Sequence, residues 1–415
     1  MTGEREAPLS PAQLAIWMHE QVSAEPTLYV EHACYEILGD LDEDAFAHTV
    51  ERALAAHPAF SAAVHARGAL PRMELGVHPV TVERRTVNAD ELAATLRRES
   101  LSGPSLAEGQ LSRCLLLTVG PGRRVLLVVW HHLVADGASL RVFLRTLQDL
   151  WSGAPPREAG DGLTVCDVAL EQRAAASAAT DRAREVAERV AGLPVRALPP
   201  LEEGPGQSRC VVWDEPTGAI EGLARAATAA RVTVPMLLNA AFQRAVGQVW
   251  GLGEFLLGCV AEGRSVPGSR DLVGCFVNTI LLRADGSRGG TDREVLRASG
   301  RELATALTTQ DVPFGAVASQ LLREVRPRPR YFPQIYLSMD GPHPLELPGL
   351  ECSRVRIYHP QAKFEVALIL EFTEDAVRGV LQYRTSVLTE RTARRLVDAF
   401  TDGLRELVKA YDRTG

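Results

Sequence analysis

The stretch VVWHHLVADGASL, Val128 to Leu140, joins three kinds of local order. It leaves an apolar run, VLLVVW from Val125, passes two histidines, an aspartate and a glycine, and then enters a segment of helical period. VLLVVW shows no polar alternation, which predicts a central strand covered on both faces and ending on His131. Upstream, CLLLTV (114–119) and the turn GPGRR (120–124) make it the second arm of a β-hairpin. Downstream, Leu140, Phe143, Leu144, Leu147, Leu150 and Trp151 follow helical spacing, with Ser139 as the expected cap and Gly153 as the stop. A strand end that opens into a loop can hold a catalytic group rigidly and still leave it accessible.

Working outward, both halves of the chain read as mixed helix and strand. Ser10 and Pro11 open a short helix whose buried face is expected at Leu14, Trp17 and Met18. Residues 29–38 read as a strand, and Asp42 opens a helix with Phe46, Val50, Ala53, Leu54 and His57 on one stripe, ended by Pro58. In the second half, helices are expected at Val234–Trp250, Asp292–Leu307 and Thr389–Tyr411. Strands are expected at FLLGCV, FVNTILLRA, 334–339, 353–358, 364–372 and 377–384. A chain of 415 residues exceeds the ~250–300 at which single cores stop growing, so two lobes are expected. The Pro- and Gly-dense loops at 152–162 and 197–208 place the boundary, giving lobes over 1–165 and 166–415. The fold class is α/β (α+β).

Bulk properties exclude several functions. A net charge of -7, with basic residues clustered only locally, as in Arg323 to Arg330, argues against a nucleic-acid partner. Seven scattered cysteines without a CxxC pair fit reduced thiols rather than a disulfide frame or a metal site. No apolar run reaches the ~18 residues of a membrane span and the N-terminus has no signal-peptide core, so a cytoplasmic protein with no membrane partner is expected.

Adjacent residues on an extended segment point to opposite faces, so His131 and His132 do not chelate one metal side by side. One of them is expected to face a cleft, where an imidazole with a pKa near ~6.5 serves as a base at neutral pH. Asp136 either orients a histidine directly or pairs with an arginine elsewhere and holds the loop. Gly137 permits a positive φ or a close backbone approach.

HHLVADG resembles the signature of the condensation domains of nonribosomal peptide synthetases, members of the chloramphenicol-acetyltransferase-like acyltransferases. LSPAQLAIW resembles that family's opening motif, VGCFVNTILLR its GxFVNT motif and TQDVPF its HQDVPFE motif; AEGR stands where the family has an arginine-bearing loop. RPRYFPQIYLSMDG, KFEVALILEF and LQYRTSVLT resemble the segments that follow, so the likeness covers nearly the whole chain, in the family's order. Departures are local. RHExLR is reduced to AHPAFS around His57, and Thr309 and Gly315 replace the ends of HQDVPFE. Leu140 stands where epimerising relatives often carry tryptophan, and the DxxxxD form of heterocyclising relatives is absent.

The resemblance implies two chloramphenicol-acetyltransferase-like lobes in a V-shaped pseudo-dimer with a central active-site tunnel. It implies His132 as the catalytic histidine, His131 as its structural neighbour, and Asp136 as the partner of an arginine across the lobes, for which Arg264 is the candidate. Gly137 would let substrate approach, its backbone N–H being a candidate oxyanion donor, and Asn278 would shape the tunnel or contact the substrate arm. The implied activity is that of a free-standing condensation enzyme, an acyltransferase forming an amide or ester bond in natural-product (antibiotic) biosynthesis. It would use no bound cofactor and no metal. Its donor would be a phosphopantetheine-tethered thioester on a separate acyl or peptidyl carrier protein, and its acceptor a small-molecule or carrier-bound amine or alcohol. The alternatives are a coenzyme A-dependent acyltransferase of the same superfamily and a non-catalytic condensation-like protein that recruits partners.

Overall fold

In the computed structural model, which describes residues 3–23, 25–66, 70–156, 162–214, 222–287, 291–373 and 376–412, the hairpin around GPGRR forms. Ser112–Gly120 pairs antiparallel with Arg123–His131, Leu115 facing Leu127 and Ser112 facing Trp130. The turn is tighter than GPGRR: Pro121 and Gly122 make it, Gly122 at φ 66°, while Arg123 and Arg124 join the second strand.

Arg123–His131 is the middle strand of five. Val30–Leu38 and Ser112–Gly120 flank it, and Glu351–Arg354 and Val82–Thr86 form the edges. Pairing is antiparallel except between Val82–Thr86 and Ser112–Gly120. The unbroken apolar run is explained by cover on both faces. Leu126, Val128 and Trp130 pack into a core shared with the helices Glu43–Ala55 and Gly137–Trp151. Val125, Leu127 and Val129 pack against Leu92 and Leu96 of the helix Ala89–Glu99. A small sheet of Glu6–Pro8, Arg72–Glu74 and Ala63–His65 completes this part of the fold; its three-residue strands are too short to show a period.

A second sheet has six strands in the order Asn278–Asp285, Glu254–Ala261, Ile335–Asp340, Val366–Phe372, Val377–Arg384, Ser208–Asp214. Its core gathers Phe242 of the helix Val234–Trp250, Phe255, and Phe400 of the helix Glu390–Asp412. Helix Asp292–Leu307 starts at a capping box in which Thr291 and Glu294 exchange hydrogen bonds.

The chain divides into two compact units, one of Met1–Ala178, Glu262–Val277 and His343–Ile357, the other of the remaining residues. A single cut after residue 165 does not generate them. Glu351–Arg354, expected as a strand at 353–358 of the second half, instead pairs with Val30–Leu38 and closes the edge of the first sheet. Helix Val165–Ala178 also stays with the first unit, burying Val165, Cys166 and Val168 in its core. All seven cysteines are free thiols, and burial pushes Cys34 and Cys166 up to about 12. Among the described residues, no helix is long and apolar enough to cross a membrane.

Candidate active site

His131 ends the middle strand and is 1% exposed. Its Nδ1 accepts the backbone N–H of Leu133 at 3.2 Å, which puts the ring proton on Nε2. Nε2 then donates to Glu20 Oε2 at 2.6 Å. Both ring nitrogens are committed, so His131 is not a base for substrate. Glu20 belongs to the helix Pro11–Val22. The same helix brings Gln13, whose Nε2 donates to Leu133 O at 2.9 Å.

Of the expected buried face of that helix, Leu14 and Trp17 pack against the core, while Met18 is 58% exposed and the most deeply buried residue is Gln13. Its start was read correctly: Ser10 accepts from Gln13 N, and Gln13 Oε1 accepts from Ser10 N, with Pro11 in the first turn.

Asp136, not Ser139, caps the helix Gly137–Trp151: its Oδ1 accepts from Ser139 N at 2.8 Å. Ser139 is the third helical residue, and its hydroxyl sits 2.8 Å from both Asp136 Oδ1 and Gly274 O. Arg264 Nη2 donates to Asp136 Oδ1 at 2.8 Å, a pair whose side chains are 3% and 0% exposed. Asp136 Oδ2 accepts from Phe276 N at 3.0 Å. Arg264 Nη1 donates to Ser269 O and Leu272 O at 2.6 and 2.7 Å, and its guanidinium lies 4.4 Å from the Phe276 ring centroid. The expected ion pair is therefore present, but within one unit: the segment Glu262–Val277 returns to the first unit and carries Arg264 with it.

His132 follows the strand and is partly exposed, unlike His131 and Asp136. Its N–H donates to Tyr29 O at 2.8 Å, and its Nδ1 lies 3.9 Å from Cys275 Sγ. The Tyr29 ring stands 6.5 Å from the His132 ring, centroid to centroid, at 62°. Tyr29 OH is in turn 2.8 Å from His19 Nδ1. Consecutive histidines thus part company as strand geometry requires, one ring going to Glu20 and the other toward Cys275. Gly137 is exposed and does not take a positive φ; it begins a helix, whose first N–H groups have no acceptor inside the helix.

Asn278 lies in the second unit, and its amide is fully employed there. Nδ2 donates to Gln310 O and Val312 O at 2.9 and 2.6 Å, and Oδ1 accepts from Phe314 N at 3.1 Å. It ties VGCFVNT to TQDVPF rather than offering its amide to a substrate arm. His57, left from the reduced second motif, is buried, with Nε2 2.9 Å from Thr146 Oγ1. Burial and nearby Arg145 lower its pKa from 6.5 to about 4, so it is a neutral structural group. Trp130 packs in the core and donates to Ala135 O at 3.1 Å.

Sequence reasoning missed Gln13, Glu20 and Phe276. The available signal was the seven-residue interval between Gln13 and Glu20, two helical turns that put both on one stripe. The Phe276 contact with Asp136 is made by a backbone N–H, which side-chain type does not reveal, although its ring, under the Arg264 guanidinium, belongs to the VGCFVNT motif.

The condensation-domain family model matches residues 3–414. A probable non-canonical nonribosomal peptide synthetase, CymA of Salinispora arenicola, is 28% identical over 428 residues, covering 97% of this chain and 6% of that protein. Malpinin synthetase of Mortierella alpina is 26% identical over 416 residues, covering 95% of this chain and 5% of that protein. The chain therefore spans about a twentieth of the length of these two relatives. Among solved structures, the condensation domain of the Monacolin K polyketide synthase MokA aligns with a TM-score of 0.84 at 17% identity, covering 99% of both chains. The X-domain from teicoplanin biosynthesis gives 0.82 at 21%, covering 99% of this chain and 97% of that one. The SgcC5 protein of Streptomyces globisporus gives 0.76 at 20%, covering 98% and 99%. At these identities the structural likeness carries the fold, while the sequence model carries the lineage. With that match running over nearly the whole chain, the protein belongs to the condensation-domain family.

Proposed function

We propose that this chain transfers an acyl or aminoacyl group from a carrier-tethered thioester to an amine or alcohol, forming an amide or ester, with His132 as its catalytic residue. The reading rests on one observation, the division of labour in HHLVADG. His131 and Asp136 are buried and spent on internal hydrogen bonds, while His132 is the partly exposed histidine held between them.

Attack of the nucleophile on the thioester carbonyl forms the C–N or C–O bond, breaks the C–S bond and releases a thiol. The nucleophile's proton must leave as the new bond forms, and a neutral imidazole at His132 accepts it or aligns the attacking group. The developing oxyanion needs N–H donors, for which the backbone N–H of Gly137 is the candidate, the Ser139 amide of the same turn being taken by Asp136. No cofactor of the protein's own enters this chemistry; the phosphopantetheine arm belongs to the carrier and arrives with the donor. The proposal extends to carriers supplied as separate proteins.

The test supplies acyl-loaded carrier proteins in trans with candidate amines and alcohols. Product is expected with wild type, and loss of about 100-fold or more with His132→Ala. Undiminished turnover by that variant sinks the reading. Acyl-coenzyme A in place of loaded carrier distinguishes the coenzyme A-dependent alternative. A second reading, a partner-recruiting protein, draws support from the teicoplanin X-domain, which has been solved in complex with OxyB. Under it, no donor is consumed and His132→Ala leaves partner binding intact.

A further inference from the structure

We propose that Glu20 is a positioning residue for His132, acting through His131 and together with Gln13. The effect on turnover rests on His132 being the catalytic histidine; the effect on ring geometry does not. Gln13 and Glu20 are seven residues apart on one helix, so two turns of 3.6 residues leave them on a single stripe. From that stripe the helix grips the chain on both sides of His132. Glu20 accepts from His131 Nε2 at 2.6 Å, one residue before it, and Gln13 donates to Leu133 O at 2.9 Å, one residue after it. The peptide N–H of His132 is held independently by Tyr29 O at 2.8 Å.

The Glu20 contact also selects one ring state. With Nδ1 accepting from Leu133 N–H at 3.2 Å, the proton must sit on Nε2, where the carboxylate receives it. Reversing the tautomer would set Nδ1–H against the Leu133 N–H and a lone pair against a carboxylate oxygen, and flipping the ring would put C–H groups in both places. Either change breaks two hydrogen bonds at once in a site 1% exposed. A carboxylate at this place also runs against simple burial. The Glu20 side chain is 14% exposed, while Met18 and Val22 on the same helix are 58% and 81% exposed. Ile16 and Trp17, on the same stripe, pack against the core, so Glu20 occupies a polar place on a face that is otherwise apolar. The inward carboxylate therefore answers to its histidine partner.

The test is imidazole ¹⁵N NMR on the intact chain, with wild type, Glu20→Gln, Glu20→Ala and Glu20→Leu, followed by steady-state turnover. Wild type and Glu20→Gln, whose amide oxygen can still accept, should show His131 protonated on Nε2, with kcat within about threefold of each other. Glu20→Ala should give mixed His131 tautomers and shifted His132 ring signals. Its kcat should fall about tenfold or more at a KM within about twofold, because misplacement at the reacting group costs rate rather than binding. Glu20→Leu, which restores volume without an acceptor, should behave like Glu20→Ala and replaces it if that variant does not fold. A wild-type His131 protonated on Nδ1, or His132 signals or kcat unmoved in Glu20→Ala or Glu20→Leu, overturns the proposal. Retained turnover in His132→Ala removes the functional reading alone, and the His132 ring signals still decide whether Glu20 positions that residue.

Discussion

Asp136 accepts hydrogen bonds from two stretches of chain: Ser139 in the helix it caps, and Arg264 and Phe276 in the segment Glu262–Val277. A carboxylate so enclosed is compensated chiefly by the Arg264 guanidinium, and a buried pair is far costlier to halve than to replace outright. Arg264→Ala is therefore expected to lower the urea unfolding free energy by about 3–5 kcal/mol, because it strands the Asp136 charge. The double variant with Asp136→Ala should be less destabilised than the sum of the two single variants. An additive double variant would mean that the pair is not coupled. The sequence supplied both residues as candidates, since Asp136 stands in HHLVADG and Arg264 in AEGR. It did not show that Asp136 also caps the helix, because an Asp and a Ser three residues apart are each acceptable caps by type. Composition and strand geometry left His131 and His132 alike, the family resemblance implied His132 as catalytic and His131 as its neighbour, and the structure supplies the Glu20 contact that holds His131.

At the scale of elements, periodicity performed well where burial was one-sided or complete. The hairpin, the helix after Asp136 and the helix Val234–Trp250 formed where apolar spacing placed them. For the helix Pro11–Val22 periodicity was right for Leu14 and Trp17 and wrong for Met18, and a search for apolar spacing passed over Gln13 and Glu20, the polar members of the inner stripe. It is also blind to close approaches. Gly247 lies in a helix interior, where alanine would ordinarily gain about 1 kcal/mol in propensity. A Cβ there would stand 1.9 Å from Gly286 O, a collision with backbone that cannot swing aside. Overpacking of this kind costs about 1–3 kcal/mol, so the two effects oppose and the collision wins. Gly247→Ala should lower the thermal midpoint; a raised midpoint would show that the two segments part without cost.

At the scale of the whole molecule, sequence order and spatial membership diverge. The first unit takes its edge strand from Glu351–Arg354 and the partner of Asp136 from Glu262–Val277, both far along the chain. A fragment ending at residue 165 would lack Arg264 and leave the edge of Val30–Leu38 unpaired, an exposed edge of the kind that promotes aggregation. Such a fragment is expected to give no cooperative thermal transition by circular dichroism, and a sharp two-state melt would contradict this. By itself the sequence determined the mixed helix and strand content, the buried central strand, and the motif order that places the chain among condensation domains, because hydrophobic period and turn chemistry are local properties. Only the tertiary structure decided what holds His131, which residue caps the helix at 137, what Asn278 holds, and which late segments complete the first unit. Those outcomes depend on hydrogen bonds between residues up to hundreds of positions apart, and a donor or acceptor in a sequence does not name its partner.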